Sequence, residues 1–255
     1  SAAPTDPLTG QELQYPGERV AAVVIDNAPA STTQWGISSA SVVLEALTVN
    51  DRPTSLCLAY PSVSAMPTVG PVTLGQDLFW RLLSGQQVLP IQRGCDLYTR
   101  NFLDYWNLRA VDALETGRNA FTTGNTDWAS PLWCTNGQSV AKVLSSLSLS
   151  SALSEDPAES ADSTQEGDTP AVPTVPALLP QQTDGHLPDA DAADAVQAAV
   201  QFPSGSTTRF AYDTDTGTYG MLHNDGTPQL DANTGIQAAF DNLLVLYSAS
   251  TPRDD

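Results

Sequence analysis

Basic side chains and histidine are scarce in this chain. One lysine (Lys142) and nine arginines face 29 acidic residues across 255 positions, for a formal charge of −19. A protein that grips nucleic acid through its phosphates needs a basic stripe that displaces counterions, and this chain cannot build a broad one. Nucleic-acid partners are therefore excluded on charge, and anionic membrane surfaces are disfavoured by the same repulsion. Histidine occurs only as His186 and His223, neither beside a strand-to-helix nucleophile turn, which argues against Ser/His/Asp or Cys/His hydrolysis. No apolar run reaches the length that crosses a bilayer. The glycine spacings that cradle phosphates are missing too, so no nucleotide cofactor is expected.

The three cysteines, Cys57, Cys95 and Cys134, lack CxxC or Cys/His ligand spacing, and no metal site is expected from them. Cys57 lies in the apolar run SLCLAY and reads as a buried hydrophobe. Cys95 (QRGCD) and Cys134 (PLWCTNG) sit in turn-like settings, and in an exported chain they are the pair expected to form a disulfide. The opening SAAPTDPLTG is small, polar and proline-containing, the texture of the mature start of an exported protein.

What is present is enough for a core: hydrophobic residues make up 41%, including five Trp, seven Tyr and six Phe. The charge is concentrated. Ten carboxylates fall between Glu155 and Asp194, in a stretch without Lys, Arg or aromatics and with six prolines; removing them leaves the rest of the chain at about −9. Such a segment buries too little apolar surface to offset its entropy. The organisation expected is an N-terminal α+β domain over residues 1–149, an acidic Pro-rich linker over 150–190 leaning to polyproline II at Ala171 to Pro180, and a C-terminal β-rich domain over 191–255.

In the first region, VAAVVID (Val20 to Asp26) reads as a buried strand delivering Asp26 and Asn27 at its carboxyl end. Ser41 to Val49 and Thr54 to Tyr60 read as a hairpin turning at Asn50-Asp51-Arg52-Pro53, although Leu44, Ala46 and Leu47 suit a helix equally. From Leu74 to Ser84 the spacing predicts a helix burying Leu74, Leu78, Phe79, Leu82 and Leu83. QQVLPIQ is a short strand. Asp96 to Trp106 is a helix with Asp96 as N-cap and an aromatic face of Tyr98, Phe102 and Tyr105. Glu115 to Pro131 reads as a long loop, and Ser139 to Leu147 as a closing helix. After the linker, VQAAVQF, TTRFAYD, GTYGMLH and NLLVLYSA read as strands of a small meander packed on the first domain. DTDTG (Asp213 to Gly217) and DANTG (Asp231 to Gly235) begin like calcium loops but lack the closing glutamate, and read as Asx turns.

Asp26, Glu45, Asp77 and Asp96 stand at the ends or edges of elements, where a glycosidase could recruit two of them. Each also has a plain structural role available, such as a helix cap for Asp96 or a first-turn dipole partner for Asp77.

The order of segments carries a resemblance. PLTG (Pro7 to Gly10), VVIDNAPA (Val23 to Ala30), WGISSASVVLEAL (Trp35 to Leu47), VGPVTLGQ (Val69 to Gln76), FAYDTDTGTYGML, LDANTG and FDNLLVLYS together resemble the YerB-like family of bacterial lipoproteins, whose biochemical function is unknown. The resemblance implies an α+β N-terminal domain, a smaller C-terminal domain, and an extracytoplasmic protein with a lipid anchor upstream of Ser1. Where the family carries VGPVRS and a further arginine, this chain has Thr73, Leu74 and Gln76; where it carries Gly-Ile-Thr-Arg, this chain has Arg52-Pro53-Thr54-Ser55. The family's His-Ala-Gly is matched by Gln92-Arg93-Gly94, its Pro-His-Asn by the stretch Pro131 to Asn136 without histidine, and a C-terminal His by Gln229, while Asp231, Gly235 and Asn242 remain. An Arg/His site of relatives is thus largely dismantled, with Arg93 as a partial substitute.

The reading favoured is a non-catalytic extracytoplasmic binding or scaffolding protein of the cell envelope, facing an envelope component or protein partner through a polar cleft shaped by Asp26, Asn27, Glu45, Gly70, Pro71, Arg93 and Asp96. The alternative is a hydrolase of cell-wall glycan or peptide using a carboxylate pair. Neither needs a cofactor.

Overall fold

The computed structural model describes residues 5–28, 33–48, 53–115, 117–123, 132–154, 175–179 and 194–248. His186 and the hairpin tip at 50–52 lie outside them. The fold is α+β: a mixed five-stranded sheet carries helices, and a separate antiparallel meander packs against it.

The mixed sheet is built from β1 (Ala21–Asp26), β2 (Val42–Leu47), β3 (Thr54–Tyr60), β4 (Leu89–Gln92) and β5 (Val111–Asp112), in the order β2-β3-β1-β4-β5. β2 and β3 pair antiparallel from Val42 opposite Ala59 to Leu47 opposite Thr54, the hairpin expected from the intervening turn residues. β1 runs antiparallel to β3 and parallel to β4, and β4 is parallel to β5. The carboxyl ends of β1, β2, β4 and β5 therefore share one edge. That edge receives Asp26, Glu45, Arg93 and Asp112.

β1 explains why its run is apolar throughout. Ala21, Val23 and Ile25 face a cluster with Ile37, Leu58, Tyr60, Val140 and Leu144, while Ala22 and Val24 face Cys57, Phe79, Trp80 and Phe102. Side chains alternate along a strand, so a strand covered on both sides needs apolar residues at every position. One cover consists of α1 (Asp77–Leu82) and α2 (Leu97–Tyr105); α3 (Gly137–Leu144) and part of the meander supply the other.

The helices depart from the expected faces. α1 buries Phe79 and Trp80, with Leu83 just beyond it, whereas Leu74, Leu78 and Leu82 are exposed. The aromatic pair carries more apolar area than the leucines, about 2 kcal/mol or more per ring, and Trp80 Nε1 also donates to Gln92 Oε1 at 3.3 Å. In α2, Phe102 is buried while Tyr105 is 81% exposed. Asp96 caps this helix, its Oδ1 accepting from the Thr99 amide at 2.7 Å. Asn136 caps α3 in the same way through the Ser139 amide. The stretch expected to be all loop contains β6 (Phe121–Thr123), which pairs with β7 (Trp133–Thr135).

β8 (Gln197–Gln201), β9 (Thr207–Asp213), β10 (Thr218–Leu222) and β11 (Ala239–Phe240) form the meander, in the order β11-β10-β9-β8. The fourth strand is Ala239–Phe240 and not the NLLVLYSA run, whose Leu244, Leu246 and Tyr247 are exposed. Met221 and Ala238 enter the core under the mixed sheet, with Phe210 and Phe240 packed against it. The meander is thus docked beside the first sheet and adds no strand to it. In the acidic stretch expected to be solvated, residues 175–179 are instead held to the first domain: the Leu178 amide donates to Pro7 O at 2.7 Å and Gln86 Nε2 donates to Pro176 O at 3.1 Å.

Val69 to Gly75 acts as an extra rung at the carboxyl edge. It bridges Thr135, Trp35, Ile25 and Cys95 in turn, and the amide of Asp26 donates to Pro71 O at 2.9 Å. Gly70 is required by this crowding, because a Cβ there would stand 2.8 Å from the Trp133 carbonyl oxygen and 2.7 Å from Cys134 Sγ. Gly70→Ala is expected to lower stability by about 1–3 kcal/mol, read as a lower urea midpoint with unchanged slope.

Candidate functional site

Three of the expected site residues meet at the carboxyl edge, in a seam of hydrogen bonds between the sheet and the meander. Asn27, just after β1, donates through Nδ2 to Glu45 Oε1 at 3.0 Å and to Thr54 Oγ1 at 2.9 Å. Thr54 donates to the same Glu45 oxygen at 2.6 Å, and Thr208 of β9 reaches it from the meander at 2.7 Å. Gln34 donates to the Asp26 carbonyl at 2.9 Å and to Asn27 Oδ1 at 3.0 Å, and accepts from Gln229 Nε2 at 2.6 Å. The network runs without a break from Glu45 to the C-terminal region. Asp231 closes its other end, accepting from the amides of Gly36 and Ser38 and, at 2.7 Å, from the Ser38 hydroxyl.

Gln34 and Asp231 are fully buried, and Thr54 and Gln229 nearly so. A polar group in such a place is tolerated only when its hydrogen bonds are made, and these are. Burial pushes the Glu45 carboxyl up, and the bonds from Thr54, Thr208 and Asn27 pull it back only in part, so it titrates above an ordinary glutamate. At Asp231 burial also pushes upward, but the Ser38 hydroxyl and the amides of Asn233, Gly36 and Ser38 outweigh it and hold the carboxyl below the ordinary aspartate range.

The other expected residues have different posts. Gly70 and Pro71 belong to the extra rung, and Asp96 caps α2 instead of joining Asp26 and Glu45. Arg93 follows β4 and lies over the Trp133 ring, its guanidinium carbon 5.5 Å from the centroid. The disulfide expectation is corrected, for Cys57, Cys95 and Cys134 are all free. Cys95 packs with the α1/α2 cluster, whereas Cys134 sits beside Gly70 on β7. Burial raises all three thiols above their ordinary value, so none is a ready thiolate nucleophile. Among the described residues no group of three His, Cys, Asp or Glu is placed to hold a metal. The DTDTG and DANTG segments are Asx turns, with the amides of Asp215 and Asn233 on Asp213 and Asp231 respectively.

Sequence reading missed Gln34, Thr54 and Thr208, whose types carry no pattern until the meander arrives. It also missed a cleft of about 370 Å³ beside α2 and the ends of β4 and β5, lined by Arg100, Asp104, Asn107, Arg109, Asp112 and Glu115 among others. Asp112 is engaged there by the Gly94 and Leu114 amides and by Gln92, while Arg100 and Glu115 form an exposed ion pair at 2.5 Å. Tyr105 and Trp106, flanked in sequence by Asp104 and Asn107, are exposed and meet edge to face at 5.2 Å.

The two ends of the seam respond to pH with opposite signs. Glu45 binds its proton more tightly folded than unfolded, so its contribution is full below the unfolded value near 4.5 and is lost as pH rises through the higher folded value. Asp231 contributes above the unfolded value near 3.8 and loses that contribution as pH falls through its lower folded value. Glu45→Gln keeps an oxygen for the three donors and removes the buried charge; it is expected to stabilise the chain at about pH 8 more than at about pH 4, in urea titrations. Asp231→Ala strands buried amides and is expected to cost about 2–4 kcal/mol, with faster amide exchange in β9 and β10.

With this geometry in hand, the relatives can be placed. No match is found among the curated proteins. The chain is similar in structure to the YerB protein from Bacillus subtilis, seen in a crystal structure, with a TM-score of 0.71 at 20% identity over 92% of this chain and 72% of that one. At that identity the likeness establishes the fold. Residues 8–150 match the N-terminal domain of the protein family of unknown function DUF3048. The chain therefore belongs to this YerB-like, DUF3048 family.

Proposed function

We propose that this is an extracytoplasmic, envelope-associated binding or scaffolding protein without catalytic activity of its own. The observation that carries the reading is the seam. Its one partly buried glutamate, Glu45, spends Oε1 on three donors and serves to fasten the meander to the sheet, while two of the other carboxylates a glycosidase could recruit are engaged elsewhere, Asp96 in a helix cap and Asp77 with Arg81. A general acid and base must both approach the reacting bond, and neither group is arranged to do so.

The ligand surface in this reading is the cleft beside α2. Its lining mixes two arginines and three carboxylates with an asparagine, so it favours a polar ligand of little net charge over a simple ion. Tyr105 and Trp106 do not line the cleft, but they are exposed between its lining residues Asp104 and Asn107 in sequence and offer flat apolar faces, the kind of surface that suits a sugar ring. An envelope glycan meets both requirements. An acidic chain with few cations is also suited to staying off anionic lipid while bound to such a polymer.

The test is a binding screen of cell-wall glycan and muropeptide fragments by calorimetry, with products followed by mass spectrometry. The expected result is saturable binding without cleavage, weakened about tenfold by Trp106→Ala, a change worth about 1.4 kcal/mol. Cleavage that Glu45→Gln abolishes would overturn the proposal in favour of a hydrolase.

A further inference from the structure

Arg93, Trp133 and Arg118 form a cluster that neither the seam nor the cleft uses. Arg93 lies just after β4, Trp133 opens β7, and Arg118 opens a 3₁₀ turn at Arg118–Ala120 before β6. Both guanidinium groups lie over the Trp133 ring, with their central carbons 5.5 Å and 4.3 Å from its centroid. Two like charges are thus gathered on one side chain, although the whole chain has ten cations and 29 carboxylates.

No carboxylate among the described residues answers them. Among the described residues the ion pairs are Arg81 with Asp77 and Arg100 with Glu115, and Arg19 gives its donors to the carbonyls of Gln87, Val88 and Ser150. Arg118 gives one N–H to the Phe121 carbonyl at 3.2 Å and is otherwise exposed. In so acidic a protein, two unpaired guanidiniums at one point are a local reversal of the field.

The second observation is independent of charge. Among the described residues three buried side-chain polar atoms lack a hydrogen-bond partner, and two of them are in this cluster: Arg93 Nε and Trp133 Nε1. Both are donors. A buried donor left unmade costs about 1–3 kcal/mol, so two on side chains of one cluster indicate a missing acceptor. One water could accept from them but leaves both positive charges unanswered; an anionic oxygen answers both needs.

We propose that Arg93, Trp133 and Arg118 form a binding site for an oxyanion, the carboxylate or phosphate group of a small ligand. Stacking on the indole holds the guanidinium planes in place, so less side-chain entropy is lost on binding than for free arginines. The position also fits, because Arg93 directly follows the carboxyl end of a parallel strand, where open sheets present their ligand-binding loops. The backbone under the indole is fixed, since the Val72 amide donates to the Trp133 carbonyl at 2.7 Å. This inference does not depend on the glycan reading of the cleft.

The test uses the full chain labelled with ¹⁵N, following the Trp133 indole and Arg93 Nε signals while inorganic phosphate, acetate or uncharged glycerol is added. The expected result is a saturable shift of both signals with an oxyanion and none with glycerol, weakening as sodium chloride is raised. Tighter response to phosphate assigns a phosphate ligand, tighter response to acetate assigns a carboxylate, and equal response supports the oxyanion class as a whole. Arg93→Gln and Arg118→Gln are each expected to weaken binding about tenfold. Trp133→Phe keeps a ring for stacking and removes only the N–H; a severalfold loss is expected for it, with thermal unfolding measured alongside to confirm that the fold is kept. Absence of a saturable shift with either anion at tens of millimolar overturns the proposal, as does unchanged affinity in the two arginine variants.

Discussion

The structure depends on satisfying the polar groups buried where the meander meets the mixed sheet. Gln34 and Asp231 are wholly withdrawn from water, and each would be expensive if a partner were lost. Their bonds reach from the end of β1 and the Gly36 to Ser38 turn into the C-terminal region. Glu45 and Thr208 make the same crossing from β2 to β9. Apolar packing of Met221 and Ala238 supplies the adhesion, but it is the directional network that sets the position of one sheet against the other.

That arrangement reassigns the acidic residues at the carboxyl edge. In an open sheet this edge is where ligands are met, and Asp26, Asn27 and Glu45 arrive there together. Here the groups beside them are met by the protein's own C-terminal region, through Thr208 on Glu45 and Gln229 on Gln34. The groups left for other molecules lie further along the edge, at the ends of β4 and β5. One set is the mixed-charge cleft beside α2, and the other is the arginine pair on Trp133. The two differ in chemistry: the first balances charge, whereas the second leaves positive charge and buried donors unanswered.

Much of the fold was legible in advance. The unbroken apolar run of β1, the turn residues joining β2 and β3, and the cap Asp96 are local signals, because turn and capping chemistry act over a few residues. The face of α1 was not legible. With Leu74, Leu78, Leu82, Phe79 and Trp80 all apolar, the spacing alone permits more than one buried side, and the choice fell to the rings that fill the space against Val24 and Phe102. The NLLVLYSA run has every mark of a strand yet its residues 242–247 are not in one, since propensity selects a strand only where a neighbouring edge is offered. Cys95 and Cys134 looked equivalent in sequence, and the sheet carries them to different packing environments.

By itself the sequence determined the exclusions and the local elements: a chain with ten cations and two histidines cannot build a basic groove or readily supply a hydrolytic triad, wherever its residues come to lie. Composition survives folding unchanged, which is why those statements needed no coordinates. Only the tertiary structure decided what Asp26, Asn27, Glu45 and Arg93 are for. Thr208 reaches Glu45, Gln229 reaches the Gln34 that holds Asn27, and Trp133 lies under Arg93, each from tens to hundreds of positions away, and a hydrogen bond or a cation over a ring exists only once the chain has brought both groups within a few ångströms.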